Sequence, residues 1–417
     1  MNEFGSRPVL VVGAGISGIS AALEAAEAGG EVVLIEKDST VGGRVLRNHH
    51  YFPKLCPPSC GMEINTQRLE RNPRVRVLTG TEVTAASSSD SGWSVKLRRA
   101  PQYVNQRCTS CGECSKVCPA TVKDPYNLGM SEAPAIRLPN PYAWPKRYAL
   151  DRSACPDGCD ACVKACTYKA INLAAEEQEE ELEVSAVVMA TGWQPNPLES
   201  LPHLGGGKLA DVIANVQMER LSSPQGPTGG EILRPSTSEP PKKVVFVQCA
   251  GSRDRDHLPY CSAVCCLASY KQALHVHEQL PDCEITIYYV DRRAQGRNED
   301  LLNRVTAVKN LRLVQGRVTS IQESAGGLEL CAQPDGGEVI KDTADLVVLA
   351  TGMVPNLREV ASAFGVQCDG DGFGLDDRQH GVAVAGVSRR PQDVASSVRD
   401  ATGAAAKALS AAARRAS

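Results

Sequence analysis

Cysteine is the residue type whose number and spacing point most directly to chemistry in this sequence. The 417-residue chain contains 17 cysteines, and many of them stand in groups of four. Two groups lie between residues 108 and 166, with the spacings C-x2-C-x2-C-x3-C and C-x3-C-x2-C-x3-C. Three closely spaced thiolates and a fourth that reaches across are the ligand pattern of 4Fe-4S clusters. The expected ligands are Cys108, Cys111, Cys114, Cys118, Cys155, Cys159, Cys162 and Cys166.

The two runs together predict a two-cluster module of the ferredoxin type. Pro119 follows the first run, as in bacterial ferredoxins, whereas Thr167 follows the second. In that arrangement Cys166 completes the cluster held by the first three cysteines of the first run, and Cys118 completes the other cluster. Zinc is the alternative ligand, although zinc sites seldom use two successive four-cysteine runs with this spacing.

A third cysteine group follows a predicted strand at 243–248. Its members are Cys249, Cys261, Cys265 and Cys266. An enzyme that binds a pyridine nucleotide needs a glycine fingerprint at this place, but a single glycine, Gly251, stands there. We therefore expect that NAD(P)H is not the electron donor. The group either binds metal or consists of buried thiols without a ligand.

The glycine pattern Gly13-Ala14-Gly15-Ile16-Ser17-Gly18 predicts a dinucleotide-binding turn between a strand and a helix. The first glycine allows the tight turn, the second lets a pyrophosphate approach, and the third lets the helix pack on the strand. Glu36 follows at the end of the next strand, where an acid can accept hydrogen bonds from ribose hydroxyls. A turn with only a structural role is the alternative.

Apolar runs and turn residues set out the elements that must position these groups. Residues 8–12, 19–28 and 31–36 predict a strand, a helix and a strand. Further strands are predicted at 184–190, 243–248, 284–290, 346–350 and 381–385 and near Val314, and helices at 263–280 and from Val394 onward. The Gly-, Pro- and Ser-rich stretch 226–242 predicts a linker.

The composition excludes some classes of function. With 45 basic and 48 acidic residues the formal charge is −3, which argues against a nucleic-acid binder. The amino terminus lacks the pattern of a signal peptide, and no stretch of about twenty apolar residues occurs. We expect a cytoplasmic protein that meets the membrane only through partners, in which dense cysteines serve metal or redox centres rather than disulfides.

Several motifs resemble the two-dinucleotide-domain flavoprotein superfamily: the turn Gly42-Gly43-Arg44, the Ala-Thr-Gly strand ends at 190–192 and 350–352, and the segment 381–386. This resemblance favours FAD over NAD. The usual acidic residue after Gly386 is absent, and Asp393 either replaces it or caps a helix. The implied cofactor contacts are Gly13, Gly15, Ser17, Gly18, Glu36, Lys37, Gly42, Gly43, Arg44, Ala190, Thr191, Gly192, Thr351, Gly352 and Gly386.

The predicted fold class is α/β: a Rossmann-like FAD domain, a degenerate NAD-like domain and an inserted ferredoxin-like module. The FAD domain is expected at 1–100, 171–240 (with the linker) and 346–417, the two-cluster module at 101–170, and the degenerate nucleotide-binding domain with its iron–sulfur site at 241–345.

The cysteine groups and flavin motifs together resemble the A subunits of heterodisulfide reductases over essentially the whole chain. Within that family, the stretches 51–61 and 249–266 look closest to the A subunit of the quinone-interacting membrane-bound oxidoreductase complex. The resemblance implies that the third cysteine group holds a 4Fe-4S cluster, which makes three clusters beside one FAD.

The resemblance also implies an oxidoreductase subunit that is not active alone on the final substrate. Its implied partners are a haem-containing membrane subunit together with a second flavin and iron–sulfur subunit. Electrons would pass between menaquinone and adenylylsulfate reductase, as in sulfate reduction; a heterodisulfide-reductase-like subunit of sulfur oxidation is an alternative. The expected location is cytoplasmic, at the inner face of the membrane.

Rival interpretations concern the whole chain and single residues. The chain could be a self-sufficient NAD(P)H-dependent flavin reductase, or a scaffold whose clusters are structural. Cys56 and Cys60 form either a redox-active pair or thiols of a rigid loop. His257, Tyr260 and Lys271 are either proton donors or ordinary structural side chains.

Overall fold

The structure is a computed structural model that describes residues 7–334 and 336–416. The first six residues, which carry part of the signal-peptide argument, lie outside the described residues. The described chain forms two compact units. The first unit comprises the described parts of 1–46, 59–193 and 355–417, and the second comprises 47–58 and 194–354.

The first unit is built on a parallel five-stranded sheet. Four of its five strands are short, mainly apolar runs in which every residue is buried, as expected where helices cover a parallel sheet, and the fifth is half-buried at the sheet edge. In spatial order they are Val382–Val384, Ala186–Met189, Val9–Val12, Val32–Glu36 and Val75–Thr79. The helices Ile16–Glu27 and Val394–Ala416 pack against each other beside this sheet. The carboxyl end of the central strand therefore carries the glycine turn.

Smaller elements complete the first unit. An antiparallel sheet of Thr81–Ser89, Gly92–Arg99 and Gln178–Val184 buries Trp93 and Val95. Outside the segment with the two cysteine runs, the remaining helices are Pro58–Arg71 and Arg358–Ala363, with short 3-10 turns at Gly43–Arg47 and Gly386–Ser388.

The segment with the two cysteine runs has short elements and little apolar periodicity. It contains the strand pairs Thr121–Lys123 with Glu132–Pro134 and Ile136–Arg137 with Ala149–Leu150. Its helices are Glu113–Lys116 and Ala161–Ala165, and a 3-10 turn spans Arg152–Ala154. An isolated bridge between Val104 and Ile171 closes the segment at its base. Such a small apolar core needs other bonds to hold it together.

The second unit repeats the parallel architecture. Its five-stranded sheet has the order Val212–Ala214, Leu346–Leu349, Lys243–Val247, Glu284–Tyr289 and Leu311–Gln315. An antiparallel sheet consists of Arg317–Ser324, Gly327–Gln333 and Ile340–Ala344. The helices are Asn215–Leu221, Cys265–Gln279 and Glu299–Thr306, and 3-10 turns lie at Leu198–Ser200, Pro202–Leu204 and Gly296–Asn298. Two short strands, Trp193–Pro195 and Met353–Pro355, carry the chain between the units.

The structure confirms the α/β class and refines the predicted bounds. The first helix begins at Ile16 rather than at residue 19, because Gly15 already serves as its N-cap. The predicted strand at 184–190 is interrupted: Gln178–Val184 belongs to the antiparallel sheet and Ala186–Met189 to the parallel one.

The division into units differs from the predicted boundary at residue 241. Residues 194–240 group with the second unit. The physical reason is that Val212–Ala214 pairs in parallel with Leu346–Leu349, at the edge of the second sheet. The stretch 226–242 contains no helix or strand, as a linker would.

Candidate flavin and iron–sulfur sites

The glycine turn of the first unit leaves an open cradle at the start of a helix. Gly13 has φ +96°, and a Cβ there would lie 2.6 Å from the carbonyl oxygen of Ala190. A Cβ on Gly18 would overlap the Gly13 carbonyl oxygen. At Gly15, by contrast, a Cβ would meet nothing within 4 Å, and no side chain caps the helix that starts there. The cradle therefore fits a pyrophosphate, which the free N–H groups of a helix terminus bind.

Glu36 is buried beside this turn and both of its oxygens accept backbone hydrogen bonds. The Ala14 N–H donates to Oε2 at 2.7 Å, and the Asp38 N–H donates to Oε1 at 3.0 Å. Burial, reinforced by the nearby Asp38 carboxylate, raises the pKa of Glu36 to about 7. Lys37 is exposed at the surface. The carboxylate keeps lone pairs for the ribose hydroxyls that such an acid binds.

The second glycine turn packs directly on the first. The Gly42 N–H donates to the Ala14 carbonyl oxygen at 2.8 Å. A Cβ on Gly43, where φ is +60°, would lie 2.9 Å from the Gly15 Cα atom. Arg44 places its guanidinium 4.6 Å from the ring centroid of Trp193. The structure thus brings these predicted residues together in the first unit.

The strand end at Ala190 and the late glycine segment meet through Ser388. The Ser388 hydroxyl accepts the Gly192 N–H at 2.8 Å and lies 3.1 Å from the Thr191 hydroxyl. A Cβ on Gly386, where φ is +68°, would overlap the Ser17 hydroxyl oxygen. The sequence analysis did not single out Ser388, although its position two residues after Gly386 was a usable signal.

The acidic group beside Gly386 is one that the sequence reasoning missed. Asp400 accepts the Gly386 N–H at 2.8 Å. Asp393 instead accepts the Ser396 N–H at 2.7 Å, at the start of the helix Val394–Ala416. Of the two alternatives for Asp393, the structure shows the helix cap.

Thr351 and Gly352 belong to the second unit rather than to the first. Thr351 is fully buried, and its hydroxyl has no hydrogen-bond partner among the described residues. A Cβ on Gly352 would lie 2.8 Å from the Ser262 hydroxyl oxygen, and the same hydroxyl accepts the Met353 N–H at 2.9 Å. These residues therefore adjoin the loop that carries the third cysteine group.

The two cysteine runs share one small core. Cys114 and Cys162 are buried with Val104, Ile136 and Ile171, and the thiols of Cys108, Cys118 and Cys166 pack against this core. Each of the two buried cysteines lies in one of the short helices of the segment. The repeated run spacing thus becomes a repeated local structure.

The thiols of each run are close enough to influence one another. Burial and then the Cys108 thiol raise the pKa of Cys114 to about 11, and burial and then the Cys155 thiol raise the pKa of Cys162. Thiols with raised pKa values stay protonated near neutral pH, and a bound metal would be needed to hold them as thiolates. None of the 17 cysteines, all of which lie in the described residues, forms a disulfide. The donor set therefore fits the soft, positively charged core of an iron–sulfur cluster.

The third cysteine group also converges, in the second unit. Cys265 and Cys266 open the helix Cys265–Gln279 and are buried. Cys249 has φ +56°, a conformation that costs a non-glycine residue free energy. Burial and then the Cys249 thiol raise the pKa of Cys265, and Cys261 acts in the same direction. The four sulfurs thus form a second kind of soft donor set.

Two arginines lie beside the third group. Burial raises the pKa of Cys249 although the guanidinium of Arg253 beside it opposes the shift. Arg253 and Arg293 both pair with Asp291, at 2.7 and 3.1 Å. These cations offset the negative charge that four thiolates bring to a cluster.

The strand before the third group lacks the geometry of a nicotinamide site. In the first unit the helix begins four residues after its strand ends at Val12, whereas here the strand ends at Val247 and the helix begins at Cys265. The strand therefore does not lead through a short turn into a helix terminus, as a pyrophosphate site requires. This geometry supports the prediction that NAD(P)H does not bind there.

The remaining singled-out residues have structural partners or are exposed. His257 lies 3.0 Å from the Ser200 carbonyl oxygen, and Tyr260 donates its hydroxyl to the Met353 carbonyl oxygen at 2.8 Å. Lys271 forms a buried ion pair. Cys56 and Cys60 are exposed free thiols.

Two family models match parts of the chain. Residues 11–78 match an NAD(P)-binding Rossmann-like domain, and residues 107–171 match a 4Fe-4S dicluster domain. The first match covers the glycine turn and Glu36, and the second covers both cysteine runs. The dicluster match supports iron–sulfur clusters in that segment; the third group lies outside it.

Curated relatives match almost the whole chain. The A subunit of the ferredoxin/F(420)H(2)-dependent CoB-CoM heterodisulfide reductase of Methanosarcina acetivorans is 34% identical over 424 residues, which cover 98% of this chain and 53% of that protein. The A subunit of the H(2):CoB-CoM heterodisulfide,ferredoxin reductase of Methanothermobacter marburgensis is 32% identical, over 96% of this chain and 63% of the relative. The chain belongs to the family of heterodisulfide reductase A subunits. It spans between about half and two thirds of the length of these relatives.

The structure of this chain is similar to solved structures of known fold. Thioredoxin reductase of T. acidophilum superposes with a TM-score of 0.55 at 15% identity, over 99% of both chains. Bacillithiol disulfide reductase of Bacillus cereus gives the same TM-score and identity over 98% of this chain and 99% of the other. The resemblance confirms the two-domain fold of these reductases.

No helix among the described residues is both long enough and apolar enough to cross a membrane.

Proposed function

We propose that this chain is an electron-transfer subunit that holds one FAD and three 4Fe-4S clusters in a heterodisulfide-reductase-like complex. The observation that carries the proposal is that cysteines of both runs share one small core and that the four thiols of the third group lie close together, in a chain whose glycine cradle fits a dinucleotide. In iron–sulfur flavoproteins FAD takes up electron pairs and each cluster carries one electron.

The side chains of this protein have separate tasks in that function. The turn at Gly13–Gly18 binds the pyrophosphate, and Glu36 accepts hydrogen bonds from the ribose. The cysteines of the two runs hold two clusters, with the fourth cysteine of each run completing the other cluster. Arg253 and Arg293 offset the negative charge at the third group and so tune its potential.

The finer assignment is to a quinone-interacting complex. We propose that a haem-containing membrane subunit binds this chain together with a second flavin and iron–sulfur subunit, and that electrons pass between menaquinone and adenylylsulfate reductase. The chain then works in the cytoplasm, at the inner face of the membrane. The stretches 51–61 and 249–266 support this assignment by resemblance. The alternative within the family is a subunit of sulfur oxidation.

Rapid mixing of the anaerobically purified chain tests the proposal. NADH should leave the flavin oxidised on the timescale of seconds, because no glycine turn leads directly from Val247 into a helix; the helix begins only at Cys265. Dithionite should bleach both flavin and clusters. Rapid bleaching by NADH would instead identify a self-sufficient reductase.

Partner proteins separate the finer alternatives. A dithionite-reduced chain, freed of excess reductant, should be reoxidised by adenylylsulfate reductase supplied with adenylylsulfate. A Cys266→Ser variant serves as the control, since it removes one ligand of the third group. If no electrons pass between the assembled complex and adenylylsulfate reductase, the assignment to that partner is wrong. If the cluster signals respond to no reduced partner, the result favours a scaffold.

A further inference from the structure

A cluster of three histidines lies in the second unit, apart from all three cysteine groups. Its members are His49, His50 and His275. One ring nitrogen of each residue lies within 4.8 Å of the other two. His50 Nδ1 and His275 Nε2 are 3.1 Å apart, and the rings of His49 and His275 meet edge to face at 4.7 Å. None of these residues belongs to the proposed flavin or cluster ligands.

A buried ion pair holds the two sequence-adjacent histidines in place. Lys271 and Glu219 pair at 2.8 Å, and their side chains are only 3% and 5% exposed. The Glu219 carboxylate accepts the backbone N–H of His49 at 2.9 Å, and the Lys271 ammonium donates to the backbone carbonyl oxygen of His50 at 2.7 Å. Each charge of the pair thus fixes the backbone of one histidine.

Neighbouring contacts anchor the same segment. Arg220 donates to the Arg47 carbonyl oxygen at 3.0 Å, and Gln272 donates to Glu219 at 2.6 Å. His275 lies one helical turn after Lys271, so the ion pair and the third imidazole share one helix face. The cluster is therefore built by buried, charged side chains rather than by a chance approach of surface residues.

Hydrogen bonds among the three histidines do not satisfy all of their buried ring nitrogens. His275 is 2% exposed, and its Nδ1 atom has no partner among the described residues. When His275 Nε2 pairs with His50 Nδ1, the buried Nδ1 atom stays unsatisfied in either tautomer, which costs about 1–3 kcal/mol. A cation shared by the rings would accept the lone pairs of His275 Nε2 and His50 Nδ1, and His275 Nδ1 would then carry the proton of its ring. Burial lowers the pKa of His49 and of His275, so both rings are available as neutral ligands.

We propose that His49, His50 and His275 form a binding site for a divalent transition-metal cation. Ligand nitrogens around a tetrahedral zinc ion are separated by about 3.3 Å, since each lies about 2.0–2.1 Å from the metal. The pair of His50 and His275 has this spacing already, and the third ring closes by a small side-chain rotation.

The donor set decides the class of metal. Three imidazoles without a carboxylate select zinc, copper, nickel or iron and disfavour magnesium and calcium, which prefer oxygen. Three protein ligands leave a fourth position for water or another small ligand, as in zinc sites that do chemistry. His49 and His50 are half-buried, which leaves a path for the ion.

Zinc loading of the holoprotein tests the site. The anaerobically purified chain, with flavin and clusters in place, is incubated with zinc sulfate, dialysed and examined by elemental analysis and zinc K-edge absorption. We expect about one tightly held zinc with a nitrogen and oxygen shell at about 2.0 Å, and no sulfur at about 2.3 Å. The sulfur distance would reveal zinc in a cysteine site, so the two kinds of binding are distinguishable.

Three variants complete the experiment. His275→Gln and His50→Ala should each abolish the nitrogen-bound zinc while iron and flavin contents stay unchanged. His277→Ala, on the same helix but outside the cluster, should retain it. If His275→Gln fails to fold, the zinc content of the His50→Ala variant decides the outcome, because His50 is only half-buried. Wild-type protein without nitrogen-bound zinc, or an undiminished zinc content in His50→Ala, overturns the proposal.

Discussion

Protonation of Glu36 should control how tightly the chain binds FAD between pH 6 and pH 8. The carboxyl is buried, and both oxygens accept backbone N–H groups at 2.7 and 3.0 Å. Protonation would place a hydrogen on one of these oxygens, which would then oppose the hydrogen of a backbone N–H group. It would also leave the carboxyl with one lone pair fewer for accepting a ribose hydroxyl. The ionised form is therefore the form that binds FAD.

The expected size of the effect follows from the pKa of about 7. An acid with this pKa is about 90% ionised at pH 8 and about 10% ionised at pH 6. Because the apparent dissociation constant scales inversely with the competent fraction, FAD should bind about tenfold more weakly at pH 6 than at pH 8. Binding near neutral pH should also release a proton.

Titration of flavin-free protein with FAD, followed by quenching of flavin fluorescence, measures this dependence. A Glu36→Gln variant is the matched control, since it has no ionisable group there. Its amide can satisfy only one of the two backbone N–H groups, so FAD should bind it more weakly and with little dependence on pH. Two results would contradict this role of Glu36. One is a wild-type affinity for FAD that is the same at pH 6 and pH 8, and the other is a Glu36→Gln variant whose FAD affinity changes with pH as much as that of the wild type.

Three further predictions concern the same sites. Gly15→Ala should fold normally but bind FAD at least about tenfold more weakly, whereas Gly403→Ala, which is equally unobstructed, should bind FAD normally in the same titration. Cys114→Ser should lower the iron content by about four atoms per chain, and the exposed Cys368→Ser should leave it unchanged; equal iron in both variants would argue against a cluster in the first run. Arg253→Gln should lower the reduction potential of the third group, because it removes a positive charge that lies beside the Cys249 thiol. An EPR-monitored redox titration that shows an unchanged or raised potential would contradict this role.

The sequence predicted those features of the fold that depend on residues close together in the chain. The glycine turn, the apolar strand Val9–Val12 and the position of Glu36 depend on residues close together in the chain, and the structure places them as expected. Spacing alone also predicted that the two cysteine runs belong to one module, but it did not predict the short helices that carry Cys114 and Cys162. The start of the first helix was placed three residues late, because Gly15 caps it without a side chain that signals a cap.

Long-range pairing explains what the sequence did not reveal. The unit boundary depends on the contact between Val212–Ala214 and Leu346–Leu349, which lie far apart in the chain. The hydrogen bond from Gly386 to Asp400 and the approach of His275 to His50 likewise join residues that no spacing rule connects. Neither contact produces a periodic or motif-like signal.

The interpretation as a whole depends on whether these thiols hold iron in a chain that also holds a flavin. Iron, acid-labile sulfide and FAD contents of the anaerobically purified protein measure this directly. Three clusters and one flavin predict about twelve iron atoms and about twelve sulfides for each FAD. A colourless preparation, or one with zinc bound to the cysteine sulfurs and no flavin, would contradict it.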